Sequence, residues 1–191
     1  MNIICNNCVG SRIYQYTNTK YNNQFIWSSI DINDFIYLIN NYDNINFNNF
    51  KLLYEDNEYF IKIDNKILVS YPHYKKNLDN MEQIIVENED EEIEDRTLYS
   101  PNIENYIISK YKERFKRNIE RPIFLIIDYD CDEKIFEEIN TNYTVYIFTK
   151  KKNLVSKYSN ITYLINNSEN ELKRTGDIAK YILNNYEYII N

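Results

Sequence analysis

The sequence predicts an α/β protein with a mostly parallel sheet, helices on both faces and a small inserted antiparallel hairpin. Three segments of the last third, "IFLIID", "YTVYIFT" and "NITYLI", are apolar without alternation, and polar or helical segments separate them. Strands of this kind are buried on both faces, as in a parallel sheet that helices cover. The apolar "NII" before Cys5 predicts a further short strand.

The first half of the chain predicts two helices, a short strand and the hairpin. After Cys8, the segment "VGSRIYQYT" has a helical pattern, and "FIWSSI" predicts a short strand. Asp31 is a suitable N-cap for the helical pattern "INDFIYLINN" that follows it. The alternating segment "EYFIKID" and the segment "ILVSYPHY" then form the hairpin, with Asn65 and Lys66 as its predicted turn.

The second half predicts an acidic exposed loop and further helices. Part of "LDNMEQIIVE" predicts a helix, and the acidic loop lies around residues 87–99. Ser100 and Pro101 mark the start of a helix of about five turns, which Pro122 ends. The remaining helices are predicted in "DEKIFEEIN", "KKNLVSKY" and "TGDIAKYILNNYEYI".

Length and composition favour a single domain over residues 1–191. The chain is 43% hydrophobic, which is too apolar for a disordered protein. Its net charge of −7 is local, because "ENEDEEIED" alone holds seven of the 29 acidic residues and leaves 22 acids against 22 Lys and Arg. A neutral body lacks the clustered positive charge of a nucleic-acid-binding protein, so no nucleic-acid partner is expected.

The sequence also predicts where the protein is found. No segment reaches the ~20 apolar residues of a membrane span. The start "MNIIC" lacks the basic and apolar regions of a signal peptide. Three cysteines without an export signal predict free thiols in a reducing compartment, and hence a cytoplasmic protein.

Three features are predicted at the carboxyl ends of the parallel strands, where sheets of this class bind ligands. They are the Cys5–Cys8 loop, the acids Asp128 and Asp130, and Thr149. Cys8 lies where a strand passes into a helix, so the first amides of the helix would favour a thiolate and hold an oxyanion. The alternative is a buried cysteine that only packs.

His73 is the sole histidine and therefore the one candidate for a base beside Cys8. The alternative is a histidine at the hairpin end with no partner. Asp128 would orient such a base or bind a cation, whereas Asp130 or Asp132 fits the N-cap of the next helix.

The spacing of Cys5 and Cys8 has two further interpretations. With His73 and Cys131 the two thiols would complete a zinc site, although the second pair lacks the spacing of a zinc knuckle. A thioredoxin-like redox pair also lies at a helix start, but no strand–helix unit precedes this one. Both interpretations are weak, so no metal or other cofactor is expected.

Two residue types are candidates for substrate contacts. Arg114 and Arg117 are three residues apart on one helix and would clasp an anionic group, with Arg121 just beyond them. A solvated helix face is the alternative. Trp27, the sole tryptophan, is either a core anchor or a ligand platform.

The order of several motifs resembles a known family. The segments "IICNNCVGSRIYQY", "FIWSS", "DFIYLINN", "HYKK" and "KYKERFKRNIERPIFLII" follow one another over about the first 130 residues. This order is similar to a papain-like cysteine peptidase family of bacteria and large viruses. That family shows a cysteine near the N-terminus, a Phe-Asp-Trp element, a central histidine and a basic helix before a buried strand. The order also resembles a related domain of unknown function in exopolysaccharide biosynthesis proteins.

The resemblance implies roles for individual residues. Cys8 takes the place of the nucleophile and His73 that of the base, with Arg114 and Arg117 on the basic helix. Cys5 falls where these families have a small residue, which implies that it packs. The chain departs from the pattern at Ile26, where the peptidase-like family has an aspartate. If that aspartate orients the catalytic group in relatives, this chain lacks it.

The sequence therefore predicts a cysteine-dependent hydrolase or acyl-transfer enzyme. Cys8 would attack a carbonyl centre of a peptide or glycan substrate, and His73 would take and return the proton. Asp128 completes the predicted catalytic set, and the predicted substrate contacts are Arg114, Arg117 and Trp27. The resemblance implies a role in surface glycan biosynthesis. The alternative is a non-catalytic binding or assembly module of a glycan-processing pathway.

Overall fold

The architecture comes from a computed structural model that describes residues 2–72, 74–76, 98–100, 102–117, 120–127, 133–149, 158–165 and 175–189. In chain order the strands are β1 (Ile3–Cys5), β2 (Ser29–Ile30), β3 (Phe50–Glu55), β4 (Glu58–Ile63), β5 (Ile67–Tyr71), β6 (Tyr74–Lys76), β7 (Leu98–Ser100), β8 (Ile123–Ile127), β9 (Thr144–Thr149) and β10 (Ile161–Ile165). The α-helices are α1 (Val9–Tyr16), α2 (Ile32–Asn41), α3 (Ile103–Phe115) and α4 (Thr175–Asn185). Short 3-10 helices cover Tyr42–Asn44, Glu133–Glu138 and Glu187–Ile189.

A parallel sheet of four strands confirms the predicted α/β class. Its strand order is β1-β8-β9-β10, and every neighbouring pair is parallel. The three apolar runs of the last third form β8, β9 and β10, and "NII" contributes to β1. All four carboxyl ends therefore lie along one edge, where β1 passes through a three-residue loop into α1.

Both faces of the parallel sheet are covered, which explains why its strands are apolar throughout. Side chains of one face, including Ile3 and Leu125, form an apolar cluster with residues of α1 and α4. Side chains of the other face, including Ile4 and Phe124, pack with residues of α2, α3 and a second sheet. The sheet thus lies between a helical layer and a mixed layer.

The predicted hairpin is part of a larger antiparallel sheet with the strand order β2-β5-β4-β3. The sequence prediction contained β4 and β5 but missed β3. Asp56 and Asn57 connect β3 to β4 with φ of 50° and 64°, as a two-residue type I′ turn requires. Asp64 and Asn65 have the same left-handed conformation before β5. The turn therefore contains the predicted Asn65 and Lys66 and begins one residue earlier, at Asp64.

The structure confirms one of four further predictions and changes the other three. Asp31 caps α2 as predicted, since its Oδ1 accepts the Asn33 N–H at 2.9 Å. Only Ser29 and Ile30 of "FIWSSI" form a strand, and the residues before them form a turn. Helix α3 begins at Ile103, later than predicted, because Ser100 pairs with Lys76 in the parallel β6–β7 ladder. The predicted helix "DEKIFEEIN" is a 3-10 helix over Glu133–Glu138.

Several predicted elements lie outside the described residues. They are the helices in "LDNMEQIIVE" and "KKNLVSKY" and the acidic loop, apart from the strand β7 at its end. None of the helices in the described ranges has both the length and the apolar character needed to cross a bilayer.

Candidate active site around Cys8

The loop between β1 and α1 is fixed to two neighbouring strands by Asn6. Its side chain accepts the Ile127 N–H at 2.8 Å and donates to the Ile127 carbonyl at 3.2 Å. Its own carbonyl accepts the Ile30 N–H at 2.8 Å. Asn6 thereby holds the last residue of β8 and the last residue of β2 beside the loop that carries Cys8.

Cys5 is the last residue of β1, directly before this loop. Its side chain belongs to the apolar cluster beneath α1 and is buried. Burial raises the pKa of the Cys5 thiol to about 12, and hydrogen bonds from the backbone amides of Asn7 and Gly10 offset this only in part. A Cβ at Gly10 would lie 2.7 Å from the Cβ of Cys5, so the glycine allows this close packing. The amide of Gly10 in the first turn of α1 and the loop amide of Asn7 therefore face Cys5.

Cys8 occupies the N-cap position of α1, yet its side chain makes no hydrogen bond to the amides of the helix. Asn7 takes that role, because its Oδ1 accepts the Val9 N–H at 3.0 Å. The Cys8 Sγ instead donates to the carbonyl of Ser28, with 3.7 Å between sulfur and oxygen. The expected contact between the thiol and the helix amides is thus not formed, and the Ser28 carbonyl binds the protonated thiol.

Burial differs between the two thiols. Cys8 is 9% exposed and belongs to neither apolar cluster, whereas Cys5 belongs to the one beneath α1. Neither cysteine is in a disulfide. Both thiols are therefore buried, and Cys8 is the more exposed of the two, at 9% against 3% for Cys5.

The segment that carries Ser28 is held against α1 by Trp27. This residue has a φ of 58°, a left-handed conformation that is strained for a bulky side chain. Its N–H donates to the Ser11 Oγ at 2.7 Å, and the Arg12 guanidinium lies 5.2 Å from the centroid of its ring. Ser11 and Arg12 follow Cys8 by three and four residues and therefore share its side of α1. Trp27 packs on that side.

Two arginines of the α3 region hold the same segment from the other side. Arg114, 8% exposed, donates to the Ile26 carbonyl at 3.2 Å and lies 5.7 Å from the centroid of the Tyr21 ring. Arg117 donates to the Tyr21 carbonyl at 3.2 Å and also bonds to Glu113. Both arginines therefore bind the protein's own backbone, and Arg117 is the more exposed of the two.

Ile26 shows what replaces the aspartate of the family pattern. Its side chain is buried in the apolar cluster beneath α1, together with Val9 and Ile13. Its carbonyl accepts a hydrogen bond from Arg114 at 3.2 Å. An orienting carboxylate is therefore not supplied from this position.

Several predicted site residues lie outside the described residues, namely His73, Asp128, Asp130, Cys131 and Asp132. The chain on the near side of His73 is described. Strand β5 ends at Tyr71, and Ser70 pairs with Ser29 across the β2–β5 ladder. The Tyr71 hydroxyl donates to the Gln24 carbonyl at 3.0 Å, so the end of β5 adjoins the segment that contacts Cys8.

The other predicted features are at the same edge. Thr149 ends β9 and is buried, as expected of a residue at the carboxyl end of a covered strand. Ile127, which precedes Asp128, is the residue that Asn6 clamps. Within the described ranges, no three His, Cys, Asp or Glu side chains lie close enough to hold a metal ion.

Sequence reasoning missed Asn6, Arg12 and Ser28. Arg12 had a usable signal, because it follows Cys8 by four residues on a predicted helix. Asn6 and Ser28 had none, since their contacts join segments that are 121 and 20 residues apart in the chain. A scan against protein-family models finds no match for this chain, and a search of curated proteins finds none either.

Proposed function

We propose that the protein is a cysteine-dependent hydrolase or acyl-transfer enzyme with Cys8 as the nucleophile and His73 as the base. One observation carries the proposal: three separate motifs of the resemblance meet at one place. The motif around Cys8 contacts Ser28 of "FIWSS", and Arg114 of the basic helix binds the Ile26 carbonyl of the same motif. Motifs that are distant in sequence but adjacent in space are typical of an active site.

The environments of the two thiols support Cys8 as the nucleophile. Cys5 is buried among apolar side chains with its pKa raised to about 12, and a thiol in that state does not react near neutral pH. Cys8 lies outside both apolar clusters and contacts a backbone carbonyl. A base must remove the proton that this carbonyl binds, because the thiolate is the reactive form.

The register of the antiparallel sheet supports His73 as that base. Ser28, the partner of Cys8, precedes Ser29, which pairs with Ser70 in β5. His73 follows the end of β5 by two residues. The end of β5, from which the chain continues to His73, therefore lies beside Ser28, the residue that Cys8 contacts. Asp128 follows Ile127, which Asn6 holds beside the same loop, and it is the proposed orienting carboxylate.

The proposed reaction has two steps. The Cys8 Sγ attacks the carbonyl carbon of a peptide or an acylated glycan while His73 takes the thiol proton. His73 then gives that proton to the leaving amine or alkoxide, and a thioester remains on Cys8. Water or a second acceptor attacks the thioester and restores the thiol. Trp27 and Arg117, both half-buried, are the proposed substrate contacts, whereas Arg114 holds the loop. The reaction fits the reducing cytoplasm, where Cys8 stays a thiol.

A second candidate function is a non-catalytic binding module of a glycan-processing pathway. The specific observation in its favour is Ile26, whose apolar side chain fills the position of the family aspartate. The contact of the protonated Cys8 thiol with the Ser28 carbonyl is also stable without chemistry. Under this alternative Cys8 is a packing residue and turns over no ester.

Site-resolved alkylation and ester turnover separate the two functions. We expect iodoacetamide at about pH 7 to modify Cys8 at least tenfold faster than Cys5 or Cys131 in the native protein. We also expect hydrolysis of p-nitrophenyl acetate to be lost in Cys8→Ala and retained in the matched variant Cys5→Ala, since the Cys5 side chain is buried in the apolar cluster beneath α1. The readouts are mass spectrometry of each cysteine peptide and absorbance of the released phenolate. Equal labelling of Cys8 and Cys131, with unchanged turnover in Cys8→Ala, would favour the binding module.

A further inference from the structure

The antiparallel sheet has one face in the core and one face directed away from it. On the core side, Tyr59, Ile61 and Ile63 of β4 are fully buried. The alternate residues of β3, β4 and β5 point to the other side, because successive side chains of a strand alternate. We call this second side the outer face, and it consists of Lys51, Leu53, Glu55, Glu58, Phe60, Lys62, Leu68 and Ser70.

Strand register arranges the outer face in three rows. Lys51 pairs with Lys62, which pairs with Leu68. Leu53 pairs with Phe60, which pairs with Ser70, and this is the middle row. The third row is the pair of Glu55 and Glu58. The outer face therefore has a cationic end, an apolar centre and an anionic end.

The charged rows hold two pairs of like charges, and of their members Glu58 accepts a hydrogen bond from the Ser70 Oγ at 3.2 Å. Like charges at directly opposed positions of an antiparallel pair destabilise it, and here two such pairs occur on one hairpin. Lys51, Lys62 and Glu55 make no ion pair with any residue in the described part of the chain. Leu68 in addition exposes 37% of its surface beside them. A partner that brings the opposite charge pattern would stabilise all three rows.

We propose that the outer face binds a second copy of this chain in a symmetric dimer. The two-fold axis lies midway between the two facing sheets and parallel to their planes. It is perpendicular to the strands and passes at the level of the middle row. This rotation reverses the strand direction of the partner, so the cationic row of each copy faces the anionic row of the other. Lys51 then faces the partner's Glu55, and Lys62 faces the partner's Glu58. The middle row packs on itself, as an isologous interface requires.

The dimensions of the outer face fit this arrangement. The cationic and anionic rows are four residues apart along β3, or about 13 Å. The middle row lies halfway between them, two residues from each. Two sheets pack face to face at about 10 Å, a separation that lysine and glutamate side chains can bridge. Three strands bury less area than the ~800 Å² per partner of a standard interface. The dimer is therefore weak and sensitive to salt, and it does not depend on the proposed enzyme activity.

Sedimentation velocity over a range of protein concentrations tests the dimer. The wild-type chain should show reversible dimers at about 50 mM salt, and their dissociation constant should rise at least tenfold at about 500 mM salt. Phe60→Asp should abolish the dimer, because it places charge at the centre of the interface. A wild-type chain that stays monomeric at low salt up to about millimolar concentration would overturn the proposal.

Charge reversal tests the orientation of the two copies. Lys51→Glu with Lys62→Glu gives an anionic outer face, and Glu55→Lys with Glu58→Lys gives a cationic one. Each double variant alone should be monomeric, whereas an equimolar mixture should form a heterodimer because every facing pair is then complementary. Combining all four substitutions in one chain should restore the homodimer.

The matched control reverses two exposed lysines elsewhere, Lys20→Glu with Lys116→Glu, for the same change in net charge. This control should dimerise like the wild type. Circular dichroism of each variant establishes that it is folded. If the mixture of the two double variants contains no heterodimer while each remains folded, the outer face is not the interface. Dimerisation of either double variant alone at low salt would contradict the proposed orientation.

Discussion

Replacement of Asn6 by alanine is expected to lower the free energy of unfolding by about 3 kcal/mol, the largest loss from a polar residue of the site. The substitution leaves the N–H and the carbonyl of Ile127 without their partner at a buried position. Each unsatisfied buried group of this kind costs about 1–3 kcal/mol. The carbonyl of Asn6 keeps its bond to Ile30, so the loss reports the side chain alone.

Asn7→Ala is the matched control for this measurement. Its side chain caps α1 through the Val9 N–H at a half-buried position, and removal of an N-cap costs about 1 kcal/mol. Urea unfolding of the three proteins, analysed with a common m-value, gives the difference. An Asn6→Ala variant that is no less stable than Asn7→Ala would show that the clamp on β8 contributes little.

Arg114→Met is expected to cost about 2 kcal/mol and to loosen the segment around Trp27. The methionine keeps much of the apolar stem but loses the donor to the Ile26 carbonyl and the contact with the Tyr21 ring. A charged hydrogen bond contributes about 1.5–3 kcal/mol and a cation–π contact about 0.5–2 kcal/mol. The net loss is smaller than their sum, because the variant no longer has to desolvate the buried guanidinium charge. Trp27 then loses one of the contacts that hold its backbone in the strained conformation.

The sole tryptophan gives this prediction a direct readout. In the native state well below its melting temperature, Arg114→Met should show red-shifted Trp27 emission and stronger quenching by acrylamide. Lys116→Met, on an exposed residue that follows the same helix, is the control and should match the wild type. Unchanged emission and quenching in a folded Arg114→Met protein would show that the arginine does not position the segment.

Much of the fold was predictable because it depends on patterns within short segments. The apolar runs of β8, β9 and β10 identify a covered parallel sheet, and Asp31 marks the start of α2. Strand β3 was missed because its sequence "FKLLYE" has neither a continuous apolar run nor a strict alternation, and it is only partly buried. The dipeptide Asp-Asn occurs before β4 and again before β5, each time in left-handed conformation, and was the available signal for a second hairpin turn.

The candidate site was less predictable because its contacts join distant segments. The position of Cys8 at the start of a helix is correct, but the Gly10 amide of that helix faces Cys5 and the Val9 amide donates to Asn7. No pattern around Cys8 shows that Asn7 takes the capping role or that Ser28 supplies the acceptor. The helix that carries Arg114 was predicted, but it ends at Phe115, so Arg117 lies in the turn after it rather than on the same helix. The bonds of the two arginines to the backbone of Ile26 and Tyr21 depend on tertiary packing.

The most direct test of a Cys8–His73 pair is the pH dependence of Cys8 alkylation in the wild type and in His73→Ala. An imidazole that takes the thiol proton keeps the thiolate available in weak acid, so wild-type Cys8 should still react with iodoacetamide at about pH 6. In His73→Ala the rate at that pH should fall at least tenfold and rise steadily toward about pH 9, as for an ordinary thiol. Two superimposable pH profiles from folded proteins would contradict the pairing of Cys8 with His73.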